Sequence, residues 1–442
     1  MSSDLLTPRD LAITDLGTCR FPSPVAGILG ERALHYVGEA DRILLDDRLS
    51  ALGTHQGLIA ERPAFELAGP RDRIYFEPTA MGCGIVTCGG LCPGLNNVIR
   101  GLVLELWQSY GVRRILGFRY GYEGLSAEHG HEPIPLDPAA VASIHHRGGT
   151  MLGSSRGRQD AVAAVDRLVA LGIHVLFVVG GDGTIRGAMA IADEIARRGL
   201  KIGVVGVPKT IDNDIQFIDR SFGFETAFSE AVGVIRSAHV ESKGAPRGVG
   251  LVKLMGRHSG FIACHAALAS TEVDIVLIPE VPFTLEGPNG LLAVLERRLD
   301  RLGSAVVVVA EGAGQELFAS GPGGTDASGN AKFGDIGVVL RDAITAHFRE
   351  RGLPLNLKYL DPSYHIRSVP ASPSDSVYCW NMARNAVHAA MAGNTRMLIG
   401  RWHNRFVHLP MELATRTRKE VDTHGDLWLS VVEATGQPRA FR

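Results

Sequence analysis

Short apolar runs rich in valine recur along the chain, each giving way to glycine or polar residues. Residues 84–87, 175–179, 202–207, 249–254, 273–278 and 305–310 have the length and predominantly apolar character of parallel strands buried on both faces. Helix-length segments separate them. Between Asn96 and Trp107, the residues Val98, Leu102, Leu104 and Leu106 supply the apolar positions of one helix. A second, running to about Arg198, carries Ala188, Ile191, Ala192 and Ile195 on one face, with Thr184 placed to cap its start. This alternation predicts an α/β fold of two Rossmann-like lobes with mainly parallel sheets and a cleft between them. In such sheets ligands gather beyond the carboxyl ends of the strands. Residues 1–70 have mixed polarity without this grammar, and are expected to form an N-terminal extension to a region spanning 71–442. Residues 314–337, rich in Gly, Ser, Asp and Asn, read as a surface loop insertion.

Composition changes this picture little. Of 442 residues, 45% are hydrophobic and 21% charged, the balance of a globular enzyme with a large core. A formal net charge of −2 offers no basic field for nucleic acid. The N-terminus lacks the apolar stretch of a secretory signal, and no apolar run of about 18 residues is available to span a membrane. The expected compartment is the cytoplasm. The cysteines form no paired CxxC pattern, which argues against zinc. Glycine is the exception: the chain has 53, against a usual share of about 7%, and the extra ones sit after the apolar runs.

Those junctions hold the candidate chemistry. Gly180-Gly-Asp-Gly-Thr184 precedes a helix. Its glycines let the backbone approach phosphate oxygens, the helix start offers free N–H groups, and Asp182 is a hard oxygen ligand for Mg2+. A plain tight turn with a capping aspartate has the same sequence, and NAD and diacylglycerol kinases carry the same five residues. The motif therefore speaks for a phosphate donor and leaves the acceptor open. Gly89-Gly-Leu-Cys-Pro-Gly-Leu-Asn96 is a second glycine loop before a helix. It matches neither the dinucleotide fingerprint nor a Walker loop, so hydride transfer is a poor fit. Pro208-Lys-Thr-Ile-Asp-Asn-Asp214 is the most informative run. It packs two carboxylates, a hydroxyl and a lysine at a strand end, equipment suited to moving a phosphoryl group onto an alcohol. Met255-Gly-Arg-His-Ser-Gly260 places Arg257 for a developing phosphoryl charge or a sugar phosphate, although a salt-bridged surface arginine has the same sequence. Lys358, Tyr364, His365 and Arg367 cluster in sequence and could grip a phosphate monoester through the Arg367 fork; a polar loop is the plainer alternative.

Taken in order, these motifs resemble the ATP- and pyrophosphate-dependent 6-phosphofructokinase family over residues 71–400, the longer plant and trypanosomatid type most closely. Asp72-Arg-Ile-Tyr-Phe-Glu-Pro78, Gly117-Phe-Arg-Tyr-Gly-Tyr-Glu-Gly124, Gly148-Gly-Thr-Met-Leu-Gly-Ser-Ser-Arg156 and Ala310-Glu-Gly312 extend the likeness. The resemblance implies phosphorylation of fructose 6-phosphate to fructose 1,6-bisphosphate in glycolysis, with Mg2+, by an allosteric homodimer or homotetramer with a donor-binding and a sugar-phosphate-binding lobe. It implies that Asp212 is the base for the sugar 1-hydroxyl, supported by Thr210 and Asp214, and that Asp182 binds Mg2+. It assigns Gly90, Arg156, Gly181, Gly183, Thr184 and Lys209 to the donor. Met255, Gly256, Arg257, Glu311, Tyr364 and Arg367 fall to fructose 6-phosphate. Lys358 and, one place off the simplest alignment, Arg247 fall where a neighbouring subunit donates a basic residue.

Two positions separate the donors in that family. Pyrophosphate enzymes carry Asp where this chain has Gly183, and a glycine leaves room for the α-phosphate region of ATP. Lys209 replaces the glycine of bacterial ATP enzymes and is pyrophosphate-like. A missing side chain weighs more than one added cation, so ATP is the expected donor and pyrophosphate the alternative. A non-catalytic nucleotide-sensing subunit is disfavoured by the intact Asp182, Asp212, Asp214 and Arg257.

Overall fold

The computed structural model describes residues 6–25, 36–50, 62–155, 160–318, 324 and 332–442. The chain divides into two compact units: residues 1–210, 215–222 and 370–417 form the first, and residues 211–214, 223–369 and 418–442 the second.

The first unit is built on a nine-stranded sheet. Its centre is parallel, in the order Met397–Trp402, Gly203–Pro208, Val175–Gly180, Gly82–Thr87 and Arg114–Phe118. Val175–Gly180, Gly203–Pro208 and Gly82–Thr87 are buried along their whole length, which is why they read as unbroken apolar runs. Helices Asp182–Arg197 and Pro373–Met391 pack against this sheet. Arg405–Pro410, Ala64–Leu67 and Arg42–Leu44 extend it antiparallel on one side and Ile134–Pro135 on the other. The helix expected over 96–107 is α-helical only over Leu95–Leu104 and continues as a π-helix, Glu105–Tyr110. The wider turn accompanies a buried polar trio. Tyr110 Oη lies 2.8 Å from His388 Nδ1, and Glu105 Oε1 lies 3.8 Å from His388 Nε2.

The second unit holds a four-stranded, wholly parallel sheet in the order Ile275–Leu277, Ser304–Ala310, Gly248–Leu254 and Asn356–Leu360. Val306, Val307, Val308 and Val309 are fully buried, and each contributes about 1.5–3 kcal/mol of burial. Helices Phe224–Lys243, Leu291–Leu302 and Ile336–Glu350 cover the sheet. The run 273–278 forms a shorter strand than its apolarity suggests, because the Asp274 carboxylate itself accepts the Val306 N–H at 2.7 Å. Of the loop expected over 314–337, Gln315–Leu317 is a 3₁₀ turn and Ile336 begins a helix; residues 319–323 and 325–331 lie outside the described residues. No helix among the described residues is long and apolar enough to cross a membrane.

Candidate active site

Each unit gathers its own polar cluster at the carboxyl ends of its parallel strands. In the first unit, strand Gly82–Thr87 ends in the Cys88–Gly94 turn. Gly89 has φ +84° and its carbonyl accepts from Ser154 Oγ at 2.6 Å; Gly94 has φ +100°, and a Cβ there would lie 2.7 Å from Cys379 Sγ. Gly90 follows Gly89 in this turn. One strand over, Val175–Gly180 ends at Gly181, which is the N-cap of helix Asp182–Arg197. Thr184 therefore does not cap the helix as its sequence position suggests. It stands inside the first turn, where its carbonyl accepts from Tyr122 Oη at 2.5 Å. Gly180 admits no side chain, since a Cβ would fall 2.3 Å from Thr184, whereas a Cβ on Gly183 would meet nothing within 4 Å.

Lys209 completes this cluster. Its N–H donates to Gly180 O at 2.9 Å, and its ammonium lies 3.6 Å from where a Gly89 Cβ would be. The two glycine turns and one buried cation thus share a small region of the first unit. Asp182, half-buried on the first turn, pairs with Arg186 at 3.3 Å. Thr210 O accepts from Ser221 Oγ at 2.6 Å. Arg156 lies outside the described residues.

Ile211–Asp214 belongs to the second unit. Asn213 adopts φ +58°, a conformation asparagine tolerates better than most residues. Asp212 O accepts from Ser259 Oγ at 3.1 Å, so the motif lies against the Met255–Gly260 turn at the end of strand Gly248–Leu254. That turn is locked to its neighbour at the end of Ser304–Ala310. Gly312 N–H donates to Gly256 O at 3.0 Å, and Glu311 N–H donates to Leu254 O at 2.9 Å. Gly312 is obligatory, because a Cβ would lie 1.9 Å from Arg257 O.

Charge in this cluster is concentrated. Burial pushes the Glu311 carboxyl above the usual range, against the pull of Arg257, Lys253 and Arg367. Burial also lowers the His258 imidazole, reinforced by Arg418 and Arg257 and opposed by Asp214. The Arg257 guanidinium lies 5.1 Å from the centre of the Phe333 ring. Arg367 stacks on Tyr364 at 4.4 Å, and Tyr364 is 75% exposed.

The second unit thus brings together Asp212, Asp214, Met255, Gly256, Arg257, Glu311 and Arg367. Arg247 is not among them. It precedes strand Gly248–Leu254, at the opposite end from the Arg257 turn, and its guanidinium is held by Asp300 at 2.6 Å over the Phe348 ring. Lys358 is exposed on Asn356–Leu360, the edge strand of the sheet. Two residues had no signal in the sequence. Lys253 Nζ bridges Asp361 at 2.9 Å and Asp335 at 3.1 Å; burial works against its ammonium, but these hydrogen bonds outweigh it and raise its pKa. Arg418 Nη1 lies 3.3 Å from Asp214 Oδ2.

The phosphofructokinase family model matches residues 82–390. An ATP-dependent 6-phosphofructokinase of Amycolatopsis methanolica is 54% identical over 440 residues, 98% of this chain and 96% of that protein. One from Trypanosoma brucei brucei is 45% identical over 434 residues, 97% of this chain and 88% of that one. Among solved structures, a pyrophosphate-dependent phosphofructokinase from Marinobacter aquaeolei is similar with a TM-score of 0.65 at 20% identity, covering 82% of this chain and 93% of that one. Pichia pastoris phosphofructokinase in the T-state is similar with a TM-score of 0.62, also at 20% identity, over 86% of this chain and 39% of that one. At such identities the structural likeness speaks for the fold alone.

Proposed function

Because the chain belongs to the phosphofructokinase family, we infer that it transfers the terminal phosphoryl group of ATP to the 1-hydroxyl of fructose 6-phosphate, giving fructose 1,6-bisphosphate in glycolysis. The observation that carries this reading is the fixing of Asp212 against the turn that bears Arg257. A carboxylate and a guanidinium held on rigid strand ends suit removal of a proton from an alcohol and neutralisation of the charge on a phosphoryl group in transit.

Asp212 takes the 1-hydroxyl proton, and Thr210 and Asp214 support the base and the phosphoryl group. The first unit binds the donor: Gly90, Gly181, Gly183 and Thr184 present backbone to its phosphates, Lys209 adds charge, and Arg156 is assigned by its motif. The second unit binds fructose 6-phosphate through Met255, Gly256, Glu311, Tyr364 and Arg367, with Arg367 as the forked phosphate ligand. Asp182 is the residue that would hold Mg2+. One carboxylate at a helix start fits an ion that keeps several waters and takes its other ligands from phosphates, and the bound ion would neutralise donor charge. Arg247, paired with Asp300 in its own subunit, is a second candidate basic residue for the site of a neighbouring subunit. Lys358 serves the site of a neighbouring subunit, so the working form is a homodimer or homotetramer, acting in the cytoplasm.

The open space around Gly183 supports ATP over pyrophosphate. The test is purified protein with fructose 6-phosphate and Mg2+, given ATP or pyrophosphate in parallel while fructose 1,6-bisphosphate is followed. Product from ATP is expected. Product from pyrophosphate alone would reassign the donor to the influence of Lys209, and product from neither would remove the reading.

A further inference from the structure

The Asp212–Asp214 stretch is held in place by residues that lie far beyond it in the chain. Lys419 N–H donates to Asp214 O at 2.8 Å, and Arg418 Nη1 lies 3.3 Å from Asp214 Oδ2 across a sequence separation of 204 residues. The segment that supplies these groups is itself anchored. Val421 N–H donates to Glu280 Oε1 at 2.8 Å, and the same oxygen accepts from Gly260 N–H at 2.9 Å, at the start of helix Phe261–Ser270. Lys419 Nζ lies 5.0 Å from the centre of the Phe261 ring. Asp214 is thereby gripped at both its backbone and its carboxylate, while Ser259 holds the backbone of Asp212 from the other side. Residues 418–421 lie outside the 82–390 span that the family model matches.

Two carboxylates two positions apart repel each other, and the left-handed turn at Asn213 between them gives the backbone no regular hydrogen-bonding ladder. A guanidinium on Asp214 offsets the repulsion and fixes one end of the turn. Displacing a reacting group by about 1 Å costs on the order of a hundredfold in rate. We propose that Arg418 is a positioning residue for phosphoryl transfer, acting by clamping Asp214 so that the Asn213 turn presents the Asp212 carboxylate to the acceptor hydroxyl. This rests on the assignment of Asp212 as the base. The field of Arg418 also reaches His258, next to Arg257, which places its charge in the same neighbourhood.

The test compares Arg418→Ala, Arg418→Lys, Asp214→Asn and the Arg418→Ala/Asp214→Asn double variant in full-length protein with ATP and fructose 6-phosphate. For Arg418→Ala, kcat should fall roughly 10- to 100-fold while both KM values change by less than about threefold. Arg418→Lys should recover part of kcat. In the Asp214→Asn background, Arg418→Ala should cost little more, because the clamp has already lost its carboxylate. Melting temperature separates this from a purely structural role, which would lower stability and move kcat and both KM values together. If Arg418→Ala does not fold, Arg418→Lys and the Asp214→Asn pair carry the comparison. An unchanged kcat, or losses that multiply in the double variant, would overturn the clamp while leaving the phosphofructokinase reading intact. A parent protein with no fructose 6-phosphate-dependent activity would overturn both.

Discussion

Gly183 is the residue proposed to decide the phosphoryl donor. It lies within the first turn of helix Asp182–Arg197, and a Cβ there would meet nothing within 4 Å. An aspartate at this position has room in the fold and a favourable interaction with the helix start. Gly183→Asp should therefore leave the melting temperature unchanged or slightly raised, while the added carboxylate repels the α-phosphate of ATP. The expected outcome is a loss of kcat/KM with ATP at least about tenfold greater than with pyrophosphate, read from initial rates with each donor. Equal losses would point away from sterics. At this scale the sequence was legible where a glycine-bearing motif meets a backbone demand, as at Gly180 and Gly312. It said nothing of the partner of Arg247, which precedes strand Gly248–Leu254 and is paired with Asp300. Arg418 was invisible because its basic run, Arg416-Thr-Arg-Lys419, carries no mark of a partner 204 residues away.

Among elements, Lys253 ties three together. Its ammonium reaches Asp335, the N-cap of helix Ile336–Glu350, and Asp361, which precedes the Ser363–Ile366 turn bearing Tyr364. Lys253→Met leaves two carboxylates facing one another and frees the segment that carries Arg367. The KM for fructose 6-phosphate should rise about tenfold or more while the KM for ATP stays nearly constant, with partial recovery in Lys253→Arg. Equal changes in both KM values would contradict the assignment.

The trio around the π-helix Glu105–Tyr110 makes a second prediction. Burial lowers the His388 pKa to about 3, so below the usual 6.5 the unfolded chain takes up a proton that the folded chain refuses. The unfolded state then binds more protons, and stability must rise with pH, by about 1.4 kcal/mol per unit for one such group. Glu105, whose pKa burial raises, contributes a slope of the opposite sign above its usual value. The difference between the parent and His388→Gln, from urea midpoints at pH 5 to 6.5, therefore isolates the histidine. The parent should lose more stability than the variant as pH falls; parallel curves would mean that His388 binds protons alike in the folded and unfolded chain. Helix periodicity announced the element here, but not its change of pitch, because a widened turn depends on a partner helix that single-segment patterning does not see.

At the scale of the whole molecule, valine runs separated by helices announce parallel strands, and the parallel cores of both sheets match that pattern, while the order of the strands is set by long-range pairing that the runs do not encode. The division into units was less legible, because each is assembled from distant pieces of chain. Lys358, exposed on an edge strand, gives the assembly its own test. Lys358→Ala and Asp212→Asn should each be nearly inactive as homo-oligomers, yet hybrids formed by co-expression should regain activity. In a hybrid, an intact Asp212 on one subunit meets an intact Lys358 from the other. Hybrids no more active than their parents would place Lys358 in the service of its own subunit.

The order of strands in the first sheet also sets a schedule for synthesis. Strand Gly203–Pro208 is flanked on one side by Val175–Gly180, already made when it leaves the ribosome, but on the other by Met397–Trp402, with Val205 paired to Met397. At about 5–20 residues per second, the emerging chain carries that apolar edge without its neighbour for roughly 10–40 s. During this interval nearly all of the second unit is translated, so the nascent protein must shield an open sheet while it builds another. Chaperone engagement should therefore peak after residue 208 and end only when residues 397–402 have cleared the exit tunnel.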